Sequence, residues 1–154
     1  MRQPVQVAIY CARKNEDHWE YLLLRRIPSG GGFWQGVTGG VEGDEEYFTA
    51  ALRELKEETG FEPNELMLVD YSYHYPVREQ WKIVYERPFD IINEVVFLAI
   101  VDSRSEPTID PEEHDAYQWC RYAEAVGKLF WEDNKVSLKY CTRMLEKMAA
   151  TGRS

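Results

Sequence analysis

The chain has 154 residues, of which 18 are basic and 27 acidic, for a net charge of −9. That length suits a single domain with a sizeable core, and the acidic balance argues against a surface that coats nucleic acid, which would be basic. No apolar run approaches the roughly 20 residues of a membrane span.

Met1-Arg2-Gln3-Pro4 carries no apolar leader, so the expectation is a cytoplasmic protein. Val5 to Ala12 and Trp19 to Arg26 read as strands on either side of a turn at Asn15-Glu16-Asp17-His18. The unbroken run Leu22-Leu23-Leu24 is the pattern of a strand covered on both faces. Arg25 and Arg26 close it, either as a solvated strand end or with one guanidinium fork reaching a phosphate. Pro28-Ser29-Gly30-Gly31-Gly32 is a loop. Behind it, in Phe33-Trp34-Gln35, Trp34 is either a core plug or a stacking platform for a base or pterin ring.

A glycine-rich turn, Gly39-Gly40-Val41-Glu42-Gly43-Asp44-Glu45, leads into a helix expected to open near Asp44 and to close at Gly60. At helical spacing Phe48, Ala51, Leu52, Leu55 and Thr59 share a face that wants a core. Glu54, Glu57 and Glu58 share the other, with Tyr47 and Ala50 beside them and Ala50 leaving room for a ligand. Like charges three and four residues apart destabilise a helix by roughly a few tenths of a kcal/mol per pair. Arg53, four residues before Glu57, offsets part of this. A divalent cation is the other compensation, since Mg²⁺ takes one or two carboxylates together with water and substrate phosphates. A plain solvated acidic face is the alternative.

Further along, Leu66 to Tyr75 reads as a strand with Leu66, Leu68, Tyr71 and Tyr73 inward. Trp81 to Tyr85 reads as another, Arg87-Pro88-Phe89-Asp90 as a loop, and Val95 to Val101 as a central strand. Strands on both sides of one helix favour an α+β layout with a mixed sheet. An acidic loop, Asp110-Pro111-Glu112-Glu113-His114-Asp115, precedes strand-like Ala116 to Trp119. A short helix is expected over Tyr122 to Phe130 and a longer one from an Asn134 N-cap to about Ala149, with Leu138, Cys141, Leu145 and Met148 on its core stripe. Cys11, Cys120 and Cys141 are odd in number and lack ligand-like spacing, so buried reduced thiols are expected. Residues 1–150 form one domain on this reading, and Thr151 to Ser154 a frayed tail.

Gly39, five residues, Glu45, seven residues, then Arg53-Glu54-Leu55-x-Glu57-Glu58-x-Gly60-Phe61 resembles the Nudix box at all nine defined positions over 23 residues. The resemblance implies a single-domain Nudix α/β/α sandwich with a mixed sheet. It also implies Mg²⁺, with Mn²⁺ as a substitute, on Glu54, Glu57 and Glu58, with Arg53 orienting these glutamates. Gly39, Glu45 and Gly60 become structural positions, and the backbone carbonyl of Thr38 is placed near the metals. The chain departs from the common pattern at Glu42-Gly43-Asp44-Glu45, where the glycine falls one place early, so a different bend is expected.

Phe33-Trp34-Gln35-x-Val37-Thr38-Gly39 and Glu113-His114-x-Ala116-Tyr117-x-Trp119 are similar to the dihydroneopterin triphosphate/dATP pyrophosphohydrolase branch. By that resemblance Glu113 is a further metal ligand, Arg25 contacts substrate, and His114 has a supporting role. Glu54 or Glu113 is the general base. The implied reaction is Mg²⁺-dependent hydrolysis of a phosphoanhydride in a nucleoside or pterin triphosphate, giving the monophosphate and pyrophosphate. The alternative within the family is ADP-ribose or another nucleoside diphosphate derivative, to which Pro76, 15 positions beyond the box, points. A non-catalytic ligand sensor ranks third, because it predicts a degenerate box and this one keeps every carboxylate. The expected partner is a small nucleotide or pterin phosphate; a homodimer stays open.

Overall fold

In the first strand, β1 (Arg2–Asn15), alternate side chains go to opposite faces of the sheet. Val5, Val7, Ile9 and Cys11 enter one apolar cluster, while Ala8, Tyr10 and Ala12 enter another. β2 (His18–Arg26) divides the same way, Leu22 and Leu24 to the first cluster and Tyr21 and Leu23 to the second. A sheet buried on both faces is what the unbroken leucine run required.

This is a computed structural model, and it describes residues 2–76 and 91–152. After β2 come a 3₁₀ turn (Pro28–Gly30), β3 (Trp34–Gln35), β4 (Val37–Glu42) and α1 (Tyr47–Thr59). β5 (Glu65–Pro76), β6 (Ile91–Ile100), β7 (His114–Cys120), α2 (Tyr122–Lys128) and α3 (Glu132–Ala150) complete the described elements. The sheet order is β3-β2-β1-β6-β5, with β4 also on β1 and β7 also on β2. β6 runs parallel to β1 and the other pairs are antiparallel, so the sheet is mixed. Because β6 takes one edge of β1 throughout, β4 and β2 divide the other, at Ile9↔Val37 and at Ala12↔Tyr21. α1 covers the first face with Ala50, Ala51 and Leu55. α2 and α3 cover the second with Ala125, Leu138, Cys141, Leu145 and Met148. The result is the α/β/α sandwich of an α+β fold, and the core stripe expected on α3 is the one that is buried.

Several local expectations change. α1 starts at Tyr47 with Glu46 at the N-cap, and no side chain caps it, so Asp44 is not its opening residue. The helix is turned so that Ala50 and Glu58 join Ala51, Leu55 and Thr59 in the buried row. Phe48 and Leu52 are left 48% and 37% exposed at the rim, where Phe48 meets Phe97 edge-on. Ala50 therefore lines the core and leaves no room for a ligand. In β5 Leu66 packs against the α1 side as expected, while Met67, Val69, Tyr71 and Tyr73 form the row against the α3 side. Leu68 is on the other face of this edge strand, beyond the reach of α1's cover, and is 59% exposed.

Asn134 lies inside α3, whose N-cap is Trp131. It is drawn inward because its Nδ2 donates to the Tyr73 hydroxyl at 2.9 Å. That hydroxyl in turn donates to the buried Glu94, which also accepts from Tyr75 at 3.0 Å. Burial holds the Glu94 carboxyl above the usual carboxylate range, against the pull of both tyrosines.

Pro76 closes β5 opposite Ile91, within paired strand rather than in a loop. The strand expected at Trp81 to Tyr85, the loop at Arg87 to Asp90 and the end of the tail, Arg153 and Ser154, lie outside the described residues. All three cysteines are buried and free. Among the described residues no helix is long and apolar enough to cross a membrane.

Candidate active site

Gly60 ends α1 in the left-handed region, φ 79°, and its N–H closes on the Lys56 carbonyl at 2.9 Å. Thr59 reinforces the end by donating from Oγ1 to the Leu55 carbonyl at 2.6 Å and accepting from the Phe61 N–H at 3.1 Å. The helix is thus fixed in rotation against β4, and its acidic edge meets that strand at Gly39. A Cβ at Gly39 would lie 2.0 Å from Cδ of Glu54, so only glycine lets the carboxylate approach this closely. Thr38, one residue earlier, pairs with Ala8.

Arg53 holds the acidic edge together. Its Nε and Nη2 donate to the two oxygens of Glu45, each at 2.9 Å. Nη2 also reaches the Gly40 carbonyl at 3.0 Å, and Nη1 reaches Glu54 at 2.8 Å and Glu57 at 3.5 Å. A planar guanidinium can serve these partners at once, where an ammonium cannot. Glu45 is held below the usual carboxylate range, first by its hydrogen bond with Arg53. Glu45 also accepts from the Glu42 N–H at 3.1 Å, which ties the early-glycine turn to the helix. In that turn Gly43 takes φ 50°.

Glu58, 6% exposed, is the deepest carboxylate of the α1 edge. Burial above all, then Glu54 and Glu113, raise its pKa, while Arg26 pulls the other way. Burial raises the pKa of Glu54 as well, against the pull of Arg53. Glu113 arrives from a separate segment: the Ile27 N–H donates to its carbonyl at 3.0 Å, stitching the acidic loop to the end of β2. Ligand atoms of Glu58, Glu113 and His114 all lie within 4.8 Å of one another. His114 is 1% exposed, and neither ring nitrogen has a hydrogen-bond partner among the described residues. Burial, with Arg26 second, lowers its pKa to about 4, which keeps the ring neutral. Two carboxylates and a neutral imidazole converging in this way suit a divalent cation.

The structure therefore brings together Glu54, Glu58 and Glu113 with Arg53, Glu45 and Gly39. Glu57 is turned away, its side chain 58% exposed and in contact with Arg53. The two arginines ending β2 part company. Arg25 pairs with Asp115 at 2.7 Å and lies 5.6 Å over the Trp34 ring, whose neighbour on the α2 side is Lys128 at 4.8 Å. Arg26 pairs with His114 in the sheet, lies where a Cβ added at Gly30 would meet its Nε and Nη2 at 3.0 Å, and keeps its Nε buried without a hydrogen-bond partner among the described residues. Sequence reasoning favoured Arg25. Alternation along β2 was the signal for Arg26, because Leu22 and Leu24 already face α1. Trp34 borders a pocket of about 440 Å³ completed by Phe33, Lys128, Phe130 and Trp131.

A family model for the NUDIX domain matches residues 2–141. Over 138 residues the chain is 34% identical to a protein named octanoyltransferase from Myxococcus xanthus, covering 90% of this chain and 36% of that protein. It thus spans little more than a third of that relative's length. Over 131 residues it is 30% identical to the asymmetrical bis(5'-nucleosyl)-tetraphosphatase of Sus scrofa, covering 85% of this chain and 84% of that one. Among solved structures, a NUDIX hydrolase from Listeria monocytogenes superposes with a TM-score of 0.80 at 26% identity, covering 94% of this chain and 96% of that chain. The dihydroneopterin triphosphate pyrophosphohydrolase of E. coli shares the fold, with a TM-score of 0.69 at 23% identity, covering 90% and 94%.

Proposed function

We propose that this chain, which belongs to the Nudix family, hydrolyses a phosphoanhydride in a nucleoside or pterin triphosphate, releasing the monophosphate and pyrophosphate in a Mg²⁺-dependent reaction. The observation that carries this reading is the convergence of Glu58, Glu113 and His114 beneath an unpartnered arginine, Arg26. Phosphoryl transfer asks for two things, neutralised phosphoryl oxygens and a water aimed in line. A divalent cation held by Glu58 and Glu113 would supply charge neutralisation and a more acidic water.

The chain's own residues supply the rest. Arg26 offers its Nε–H, without a partner among the described residues, to a phosphoryl oxygen, and the missing Cβ of Gly30 makes room for its guanidinium. Arg53 holds Glu54 in place. Of the two candidate bases, Glu54 is committed to Arg53. Glu113 is exposed and makes no side-chain hydrogen bond among the described residues, so Glu113 takes the proton. The ring of the substrate stacks at Trp34, with the chain of phosphates crossing the Gly30–Gly32 loop from the Arg25 side to the Arg26 side. Arg25 and Thr38 border that path.

A dinucleoside tetraphosphate is the second reading, favoured by the 30% identity over 84% of the pig tetraphosphatase. The experiment is phosphate and pyrophosphate release with Mg²⁺ on dihydroneopterin triphosphate, dATP, diadenosine tetraphosphate and ADP-ribose. Pyrophosphate from the first two supports the main reading. Cleavage of the tetraphosphate alone supports the second, and AMP from ADP-ribose alone refutes both. Glu58→Gln should fold and lose at least about 10²-fold in turnover; full activity in that variant would remove Glu58 from the site.

A further inference from the structure

We infer that His114 is itself a metal ligand, completing with Glu58 and Glu113 a mixed nitrogen–oxygen site that favours Mn²⁺, Co²⁺ or Zn²⁺ over Mg²⁺. The inference rests on the proposed reading of Glu58 and Glu113 as metal ligands and adds a third donor of different chemistry.

Four observations carry it. His114 is 1% exposed, yet both ring nitrogens lack a hydrogen-bond partner among the described residues. An unpaired buried polar group is costly, and native structures rarely keep one without a reason. The ring is aimed at carboxylates: Nε2 lies 3.9 Å from Oε1 of Glu58, too far for a hydrogen bond. That distance is within the roughly 4.2 Å that two metal bonds of about 2.1 Å can span. The remaining separations, up to 4.8 Å, close with a side-chain movement of under about 1 Å. The backbone that presents the ring is held in place, since the His114 N–H donates to the Asp110 carbonyl at 2.9 Å and His114 pairs with Arg26 in the sheet. Hard Mg²⁺ gains little from an imidazole, whereas the later divalent ions gain much.

The test is electron spin echo spectroscopy of the protein loaded with Mn²⁺, beside calorimetric titration with Mn²⁺ and with Mg²⁺. The expected result is a ¹⁴N coupling of a directly bound imidazole that changes on ¹⁵N-histidine labelling and disappears in His114→Gln. Mn²⁺ should bind about tenfold or more tighter than Mg²⁺ in the parent, with the gap closed in that variant. Should His114→Gln fail to fold, a His18→Gln/His74→Gln double variant must keep the coupling. Mn²⁺ bound without nitrogen coupling overturns the inference and leaves the carboxylate site standing. No Mn²⁺ binding at all overturns both.

Discussion

Gly39→Ala is the most direct perturbation of the acidic edge. The added methyl would sit 2.0 Å from Cδ of Glu54 and 2.3 Å from each of its oxygens. Ordinary contact begins at 3.4 Å, so the carboxylate must retreat by 3.4 − 2.0 = 1.4 Å. The retreat also breaks the 2.8 Å bond from Arg53 Nη1. Gly39 is outside the left-handed region, so the substitution adds no backbone strain. The obstacle is the end of a flexible side chain, so the cost in stability should fall at the low end of overpacking, about 1 kcal/mol. A displacement of about 1 Å passed on to the reacting groups costs about 10²-fold in rate, or about 2.7 kcal/mol in barrier. The assay is turnover of whichever substrate the parent cleaves, beside a thermal melt. Gly127→Ala in α2 is the control, because nothing lies within 4 Å of its added methyl. Parent-like turnover in Gly39→Ala would refute the claim that the strand positions Glu54.

Three further outcomes follow from the same geometry. Arg53→Lys should fold and lose about tenfold or more in turnover, because one ammonium cannot hold Glu45, Glu54 and the Gly40 carbonyl together; equal rates in the two proteins would contradict this. Gly60→Ala meets no atom within 4 Å but must adopt φ 79°, so it should cost about 1–2 kcal/mol and lower the melting temperature by roughly 3–6 °C, an unchanged melt counting against it. Glu94, with its folded pKa raised, leaves the folded state holding more protons than the unfolded chain above the ordinary carboxylate range, so stability falls as pH rises through that window. Melts from pH 4.5 to 8 should show the parent losing ground to Glu94→Gln as pH rises; a constant difference would show that Glu94 is not the titrating group.

The box spacing made the acidic edge legible, because residues four apart on a helix must neighbour one another and a glycine must end it. Leu22-Leu23-Leu24 made the two-faced sheet legible in the same way. The rotation of α1 was not. Hydropathy sends Phe48 and Leu52 inward, while the structure buries Ala50 and Glu58, since small residues let the helix approach the sheet. Nor was the opposite facing of Arg25 and Arg26 read from the sequence, although strand alternation contained it. Asn134 reads as an N-cap by type, and only the Tyr73 hydroxyl across the core explains its place inside the helix. The stranded nitrogens of His114 depend on what fails to surround them, which no local pattern encodes.

Charge bookkeeping around α1 carries the argument one step further. Glu45, Glu54, Glu57, Glu58 and Glu113 face two guanidiniums, Arg53 and Arg26. Arg53 spends its contacts on Glu45, Glu54 and Glu57. Glu58 and Glu113 are left with Arg26, the group on which the proposed reaction relies for phosphate. A polyphosphate approaching this edge meets net negative charge in a partly buried setting, where repulsion is screened less than in water. Without a cation, its attraction to Arg26 would be opposed by every carboxylate behind that side chain. The site therefore suits a phosphate that arrives with its countercharge, and substrate affinity should depend on divalent cation more steeply than on ionic strength.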